Sequence, residues 1–553
     1  MREKDQWYKG GIWYALDIET FQDTDGDGNG DFQGLIGRLD YLATLGITCI
    51  WILPFYPSPF RDNGYDVMDY YNVDKRFGTL GDFAAFVREA KERGIRVIID
   101  LVVNHTSDQH PWFQEARRDK ASKYYNYYIW RKKKPKSPHA EPMFGGEEDS
   151  IWSYDEVAKE YYLHRFYSHQ PDLNIVNPEV HKEIHNIMGF WLALGVAGFR
   201  VDAAHILVQT DQEESKEHFY ELLEDMRSYI NTHSQDCILL AEATGPPAMV
   251  GNFFQEEKRM HMAFNFLINQ YFFHAMAIQE AAPLIKGFEK LPPIPETATW
   301  LNFLRHHDEL TLVDLDKKAQ EEIFKVFAPE KDMQIFGHGI RRRLAPMLQN
   351  NRQQLELAYS LLFSLPGTPL IQYGAEIGMG DDLSLPGRIS VRTAMQWRNT
   401  KNGGFSTAPP KDLVRPAISG GEFGYEKVSV MAQQNDNFSL LNWMERLIRI
   451  RRQCHEIGKG VWAVLQTGHK AVFAHSCALQ ATLVAFHNLS DASVSFNAPK
   501  IIQEAEEVVE LFSDQSYSLP TPKNDKLELG PYGYRWFRLS AERSQDEIRK
   551  AVK

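Results

Sequence analysis

The chain has 553 residues, a net charge of −13, and a composition 43% hydrophobic and 12% aromatic. That is enough apolar material for a large core, and the acidic balance excludes a general nucleic-acid or anionic-membrane binder. Four widely spaced cysteines give no disulfide framework or zinc motif, no run of about 18 apolar residues is present, and "MREKDQWYKGG" carries no secretory signal, so a cytoplasmic protein is expected.

Strand-like runs alternate with amphipathic segments from the start of the chain. "GIWYALDIE" leads to "LIGRLDYLATLG" and then "TCIWILP"; "FAAFVREAKERG" leads to "IRVIIDLVV"; "IHNIMGFWLALG" leads to "VAGFRVDAA"; "FYELLEDMRSYI" leads to "CILLAEA". "HMAFNF", "TWLNFLRHHD" and "TPLIQYG" complete eight strands. Helical segments that end in glycine and hand over to β-branched runs mark a parallel sheet. Eight such strands predict an α/β fold, a (β/α)8 barrel. The barrel is expected over 1–105 and 175–457. An aromatic-rich subdomain is inserted after strand three (106–174), an antiparallel C-terminal β-sandwich covers 458–541, and a charged tail covers 542–553.

Between the first strand and the helix after it lies "DTDGDGNGD". Asp23, Asp25, Asp27, Asn29 and Asp31 alternate with small residues, and hard oxygen ligands at this spacing suit a structural Ca²⁺ or Mg²⁺. An EF-hand would need a glutamate at loop position twelve, where Gly34 stands. An acidic turn without metal is the alternative.

"GFRVDAAH" places Arg200 and Asp202 in a strand that should be apolar. Residues i and i+2 share a face, so the two charges point the same way, as a surface ion pair or as part of a catalytic site. Other strands also end in polar residues: Asp100, Asn104 and His105 after strand three, Glu242 after strand five, His307 and Asp308 after strand seven. In a (β/α)8 barrel those ends form the active-site rim. Several carboxylates there suggest glycoside chemistry, in which one protonates the leaving oxygen and another attacks or activates water. The competing idea, a metal-bound carboxylate cluster, lacks dense His/Asp spacing.

The ordered set "DLVVNH", "QPDLN", "GFRVDAAH", "AEA" and "LRHHDE" resembles the α-amylase superfamily, glycoside hydrolase family 13. "PSPFRDNGYDV", "IRRRLAPMLQNNRQQLEL" and "VRTAMQW" carry a closer likeness to the trehalose synthases, and the acidic loop is similar to that of oligo-1,6-glucosidase-like members. The resemblance implies a retaining mechanism with Asp202 as nucleophile, Glu242 as acid/base and Asp308 as the third carboxylate. It also implies that Arg200 holds Asp202 ionised and oriented, that His105 and His307 bind sugar hydroxyls, that Tyr65 stacks on the ring, and that Asp62 binds a terminal glucose. Asp100 would support these residues from behind, and Arg392 is left open between a site contact and an ordinary ion pair. The implied substrate is a short α-glucoside, turned from maltose to trehalose with some hydrolysis, or simply hydrolysed. The chain departs from the closer pattern at His306, where Asn is usual, in the short loop "AAHILVQTDQEESKEH", and in "EATGPP". Those changes bear on the acceptor, and His205 in that loop is a candidate acceptor contact.

Overall fold

A computed structural model of the chain describes residues 6–135, 142–143, 148–207, 217–234, 236–519 and 526–540. Eight parallel strands close into a barrel. They are β1 (Trp13–Leu16), β2 (Cys49–Ile52), β3 (Arg96–Leu101), β4 (Gly198–Val201), β5 (Ile238–Ala241), β6 (Met262–Phe264), β7 (Thr299–Phe303) and β8 (Thr368–Gln372). Each pairs with the next in chain order, and β8 returns to β1 with Leu370 opposite Trp13.

Side-chain alternation sorts each strand between two cores. In β3, Val97, Ile99 and Leu101 pack outward among the helices. Ile98 points inward with Trp13, Trp51, Leu240, Phe264, Leu301 and Leu370. In β4, Phe199 and Val201 face outward, which turns Gly198 and Arg200 toward the barrel interior. Gly198 has φ +148°, and a Cβ there would meet the Ile238 carbonyl oxygen at 2.2 Å. Only glycine lets β4 lie that close to β5.

The outer helices follow the same logic. Leu80–Glu92 starts at a Thr79–Asp82 capping box and buries Phe83, Phe86, Val87 and Ala90, the i, i+3, i+4, i+7 face. Each large side chain so buried contributes about 1.5–3 kcal/mol.

The insertion after β3 holds a three-stranded sheet of Trp130–Arg131, Glu160–Leu163 and Trp152–Asp155. A bridge between His105 and Asp172 ties it to the barrel rim, and one between Tyr128 and Leu173 joins two of its own segments. The C-terminal region is a sandwich of a five-stranded and a two-stranded antiparallel sheet. Val472, Val484, Phe486 and Phe537 of the larger sheet meet Phe496, Leu527 and Leu529 of the smaller in one core. The larger sheet also bonds to the barrel helices: Trp536 donates to the Ser360 hydroxyl (2.9 Å), and His475 Nε2 lies 2.8 Å from the Ser364 carbonyl oxygen. The expected charged tail, 542–553, lies outside the described residues. A small sheet of Leu310–Thr311, Gly339–Ile340 and Gln334–Ile335, beside the end of β7, has no counterpart in the sequence reading. No helix among the described residues is long and apolar enough to cross a membrane.

Candidate active site

Arg200 sits at the inner end of β4, 1% exposed, and its guanidinium organises the barrel mouth. Nη1 bonds to Asp100 and lies 2.6 Å from Asp202 Oδ1, while Nη2 lies 2.7 Å from Glu242 Oε1. Asp202 and Glu242 are therefore held side by side on one planar fork. Trp51 steadies the base of the cluster by donating to Asp100 Oδ2 at 2.8 Å. Ala203, next to Asp202, has φ +46°, a conformation uncommon for a residue with a Cβ. It turns the Ala203 N–H onto Glu242 Oε2 at 2.9 Å. The strain thus sits where the backbone aligns Glu242 against Asp202.

Arg200 orients Asp202 and favours its ionised form, as expected, but other groups act on that carboxyl as well. Burial pushes the Asp202 carboxyl well up; Arg200 pulls it down, while Glu242, Asp100 and Asp308 push it up again. One cation is divided among three carboxylates, and the net direction is upward. Asp100 is likewise raised to about 6 by burial, against the pull of Arg200.

Asp308 goes the other way. Burial would raise it, but Arg388, His307 and Arg392 outweigh burial and hold its carboxyl well below the usual range. Arg388 Nη1 and Arg392 Nη2 lie 2.9 and 2.8 Å from Asp308 Oδ1, and His307 Nε2 lies 2.9 Å from Oδ2. Arg392 is thus a site contact and an ion pair at once. Arg388 also reaches Asp62 Oδ1 at 3.1 Å, and Gln170 Nε2 donates to Asp62 Oδ2 at 2.9 Å. Asp62 is raised to about 6 by burial, against Arg388. The sequence reading missed Arg388 and Gln170. The available signal for Arg388 was a second arginine four residues before Arg392 in an otherwise largely apolar stretch.

Tyr65 and His307 form one unit, their rings stacked at 5.8 Å and Tyr65 Oη 2.9 Å from His307 Nε2. His307 thus braces Tyr65 and Asp308 and is not among the side chains that line the cavity, whereas its neighbour His306 is. His105 is on the wall, with Nε2 3.1 Å from the Tyr65 carbonyl oxygen. Burial lowers His105 to about 3 and His307 to about 4, so both imidazoles are neutral near pH 7.

These groups open into a cavity of about 400 Å³, within the range of small-molecule sites. Asp62, Tyr65, His105, Asp202, Glu242, Asp308 and Arg388 line it. The same cavity is lined by His205 and Thr244, from the two segments that depart from the family pattern, and by Glu309, Phe336 and His338. His205 Nδ1 lies 3.4 Å from the Glu242 carbonyl oxygen. Residues 208–216 of the altered loop lie outside the described residues.

The acidic loop stands apart from this cavity. Ligand oxygens of Asp23, Asp25 and Asp27 gather within 4.8 Å of one another. Asp23 is fixed by the Gly26 and Gly28 amides (2.8 and 2.9 Å) and the Ser406 hydroxyl (2.5 Å). Gly28 has φ +96°, and a Cβ there would meet the Asp412 carbonyl oxygen at 2.1 Å, so the loop is pressed onto the segment after β8. The Asp27 N–H lowers Asp25, but desolvation and the carboxylates of Asp27, Asp23 and Asp31 outweigh it, and the net direction is up. Converging carboxylates that repel one another fit a hard divalent cation. Asp31 stands differently from the other three. It caps helix Phe32–Gly37 and accepts from Gly34 N–H (2.7 Å), Thr24 N–H (2.7 Å) and the Thr24 hydroxyl. The Asn29 amide and side chain both donate to Asp27 Oδ1. Of the four aspartates expected in this site, the structure gathers Asp23, Asp25 and Asp27, and Asp31 serves as a helix cap.

Residues 18–460 match the family described as alpha amylase, catalytic domain. The chain belongs to the α-amylase family. Within glycoside hydrolase family 13 it is a glycosidase or transglucosylase. Residues 481–538 match a sucrose hydrolase-like C-terminal domain. The chain is 42% identical to the trehalose synthase/amylase TreS of Mycobacterium tuberculosis over 475 residues, 85% of this chain and 79% of that protein. It is 39% identical to a trehalose synthase of Pimelobacter sp., covering 97% and 96% of the two chains. An oligo-1,6-glucosidase of Parageobacillus thermoglucosidasius is 30% identical, covering 91% and 94%. Among solved α-amylase-type folds, the trehalulose synthase MutB of Pseudomonas mesoacidophila superposes with a TM-score of 0.77 at 26% identity, over 96% of this chain and 99% of that one.

Proposed function

We propose that this family 13 enzyme transfers a terminal α-glucosyl unit of a short α-glucoside through a covalent intermediate on Asp202, chiefly converting maltose to trehalose, with appreciable hydrolysis. The observation that carries the reading is the shared Arg200 fork. It brings the proposed nucleophile and the proposed acid/base onto one guanidinium, which supports a retaining pair, for which a separation of about 5–5.5 Å is needed. Glu242 protonates the leaving oxygen as Asp202 attacks the anomeric carbon. Glu242 then takes a proton from the incoming hydroxyl, which displaces Asp202. Asp308, kept ionised, binds donor hydroxyls and stabilises the oxocarbenium-like transition state. His105 contacts the donor, Tyr65 stacks on it, and His307 holds Tyr65 and Asp308 in place. The Asp62–Arg388 pair closes the non-reducing end, which favours short donors over starch. Trehalose synthases at about 40% identity support the isomerising outcome. A cytoplasmic setting belongs to the same reading, supported by four buried cysteines without a disulfide.

The second reading is an α-glucosidase or transglucosidase that hydrolyses maltose, sucrose or short oligosaccharides. The sucrose hydrolase-like C-terminal match and the oligo-1,6-glucosidase relatives favour it. Incubation with maltose, trehalose and sucrose separately, with products resolved by chromatography, tests between them. Trehalose from maltose, beside some glucose, is expected; glucose alone would leave only the second reading.

We also propose that Asp23, Asp25 and Asp27 hold one Ca²⁺ or Mg²⁺, which supplies charge neutralisation and no chemistry. Binding to the folded state alone stabilises it, by about 2.7 kcal/mol at a hundredfold excess over Kd. The melting temperature should fall after chelation and recover with Ca²⁺ or Mg²⁺, and Asp25→Asn should abolish the response. A melting temperature unmoved by chelation and by either ion would refute the site.

A further inference from the structure

The small sheet beside the end of β7 ends in a hairpin. Gln334–Ile335 and Gly339–Ile340 pair antiparallel, and Phe336, Gly337 and His338 form the connection. Phe336 has φ +54° and Gly337 φ +72°. These values put both residues in the left-handed region, which Asn and Gly tolerate best. A bulky aromatic residue there is an outlier, so turn formation does not explain the phenylalanine. Its side chain is half-buried and lines the active-site cavity beside His338. The hairpin is anchored where this matters: Leu310 and Thr311 pair with Ile340 and Gly339, directly after Asp308 and Glu309. A Cβ on Gly339 would meet Glu309 Cγ at 2.8 Å, so the hairpin presses against another wall residue. Phe336 lines the same cavity as Asp62, Asp202, Glu242 and Asp308.

We propose that Phe336 is a specificity-determining residue on the acceptor side, kept in a strained turn so that its ring packs against the sugar unit that leaves and returns. This rests on the proposed glucosyl transfer for its assignment of donor and acceptor sides. A ring over the apolar face of a sugar holds it without fixing one hydroxyl pattern, and it excludes water while the glucosyl-enzyme exists.

The test compares Phe336→Asn with the wild type on maltose and on α-glucosyl fluoride, whose small leaving group leaves the acceptor side empty. Asparagine suits the turn, so the melting temperature should be unchanged or higher. KM for maltose should rise about tenfold, as expected for loss of one aromatic contact. The share of glucosyl units passing to water should rise as well, and the effect on α-glucosyl fluoride should be several-fold smaller. Phe336→Tyr should restore maltose kinetics. A lowered melting temperature with equal losses on both donors would make the role structural, and unchanged maltose kinetics would overturn the proposal outright. If the wild type makes no trehalose yet Phe336→Asn still separates the two donors, the trehalose reading falls while the assignment of Phe336 stands.

Discussion

Replacing Asp202 with alanine is expected to lower turnover of any α-glucoside by roughly 10⁴-fold or more, the scale of losing a nucleophile that works as part of a unit. The fold should not suffer. Burial and three neighbouring carboxylates push Asp202 up, so its ionised form is costly in the folded protein. A group whose pKa rises on folding favours the folded state while protonated, and that advantage is lost as pH climbs through the raised value. The substitution therefore removes a carboxyl whose ionised form is disfavoured in the folded protein. Arg200 keeps Asp100 and Glu242 as partners. Activity should vanish while the melting temperature holds or increases, as is common where function competes with stability. Activity above about one per cent of wild type, on the same scale, would overturn the assignment of Asp202.

The second large effect is expected at Arg388. Its guanidinium joins Asp62 to Asp308, with 15% of the side chain exposed. Removing one partner of a buried ion pair costs about 3–5 kcal/mol, because the other charge is left uncompensated. Here two carboxylates would be left facing each other across the donor end. Arg388→Ala should therefore destabilise the fold on that scale and, by releasing Asp62 and Asp308 from their positions, lower kcat/KM for maltose by roughly 10²-fold or more. Arg388→Lys should rescue little, since an ammonium cannot fork to two carboxylates. Steady-state kinetics on both variants decide the point, and a loss below about tenfold would mean that the bridge is not part of donor binding.

The eight strands were legible because alternation and helix-ending glycines are strong local signals, and the polar residues at their ends stood out against apolar runs. Asp202, Glu242 and Asp308 were found that way. Arg388 was missed because it lies in the irregular stretch after β8, which has no periodicity to mark what points inward. The hairpin of Phe336 was missed for a related reason: its strands are two residues long, and phenylalanine signals no turn. The net upward push on Asp202 was not legible because a sequence shows that Arg200 is near but not how many carboxylates share it. Asp31 shows an ambiguity that residue identity leaves open, since an aspartate before a helix serves equally as a cation ligand or an N-cap, and here it caps.

The central claim is that the glucosyl unit stays on the enzyme while the released glucose is kept close enough to attack again. Supplying maltose labelled in its reducing glucose, together with a large excess of unlabelled glucose, measures that directly. Trehalose that retains the label, with little exchange and a smaller amount of free labelled glucose, is the predicted result. Unlabelled or absent trehalose, with all of the label recovered as free glucose, would contradict it.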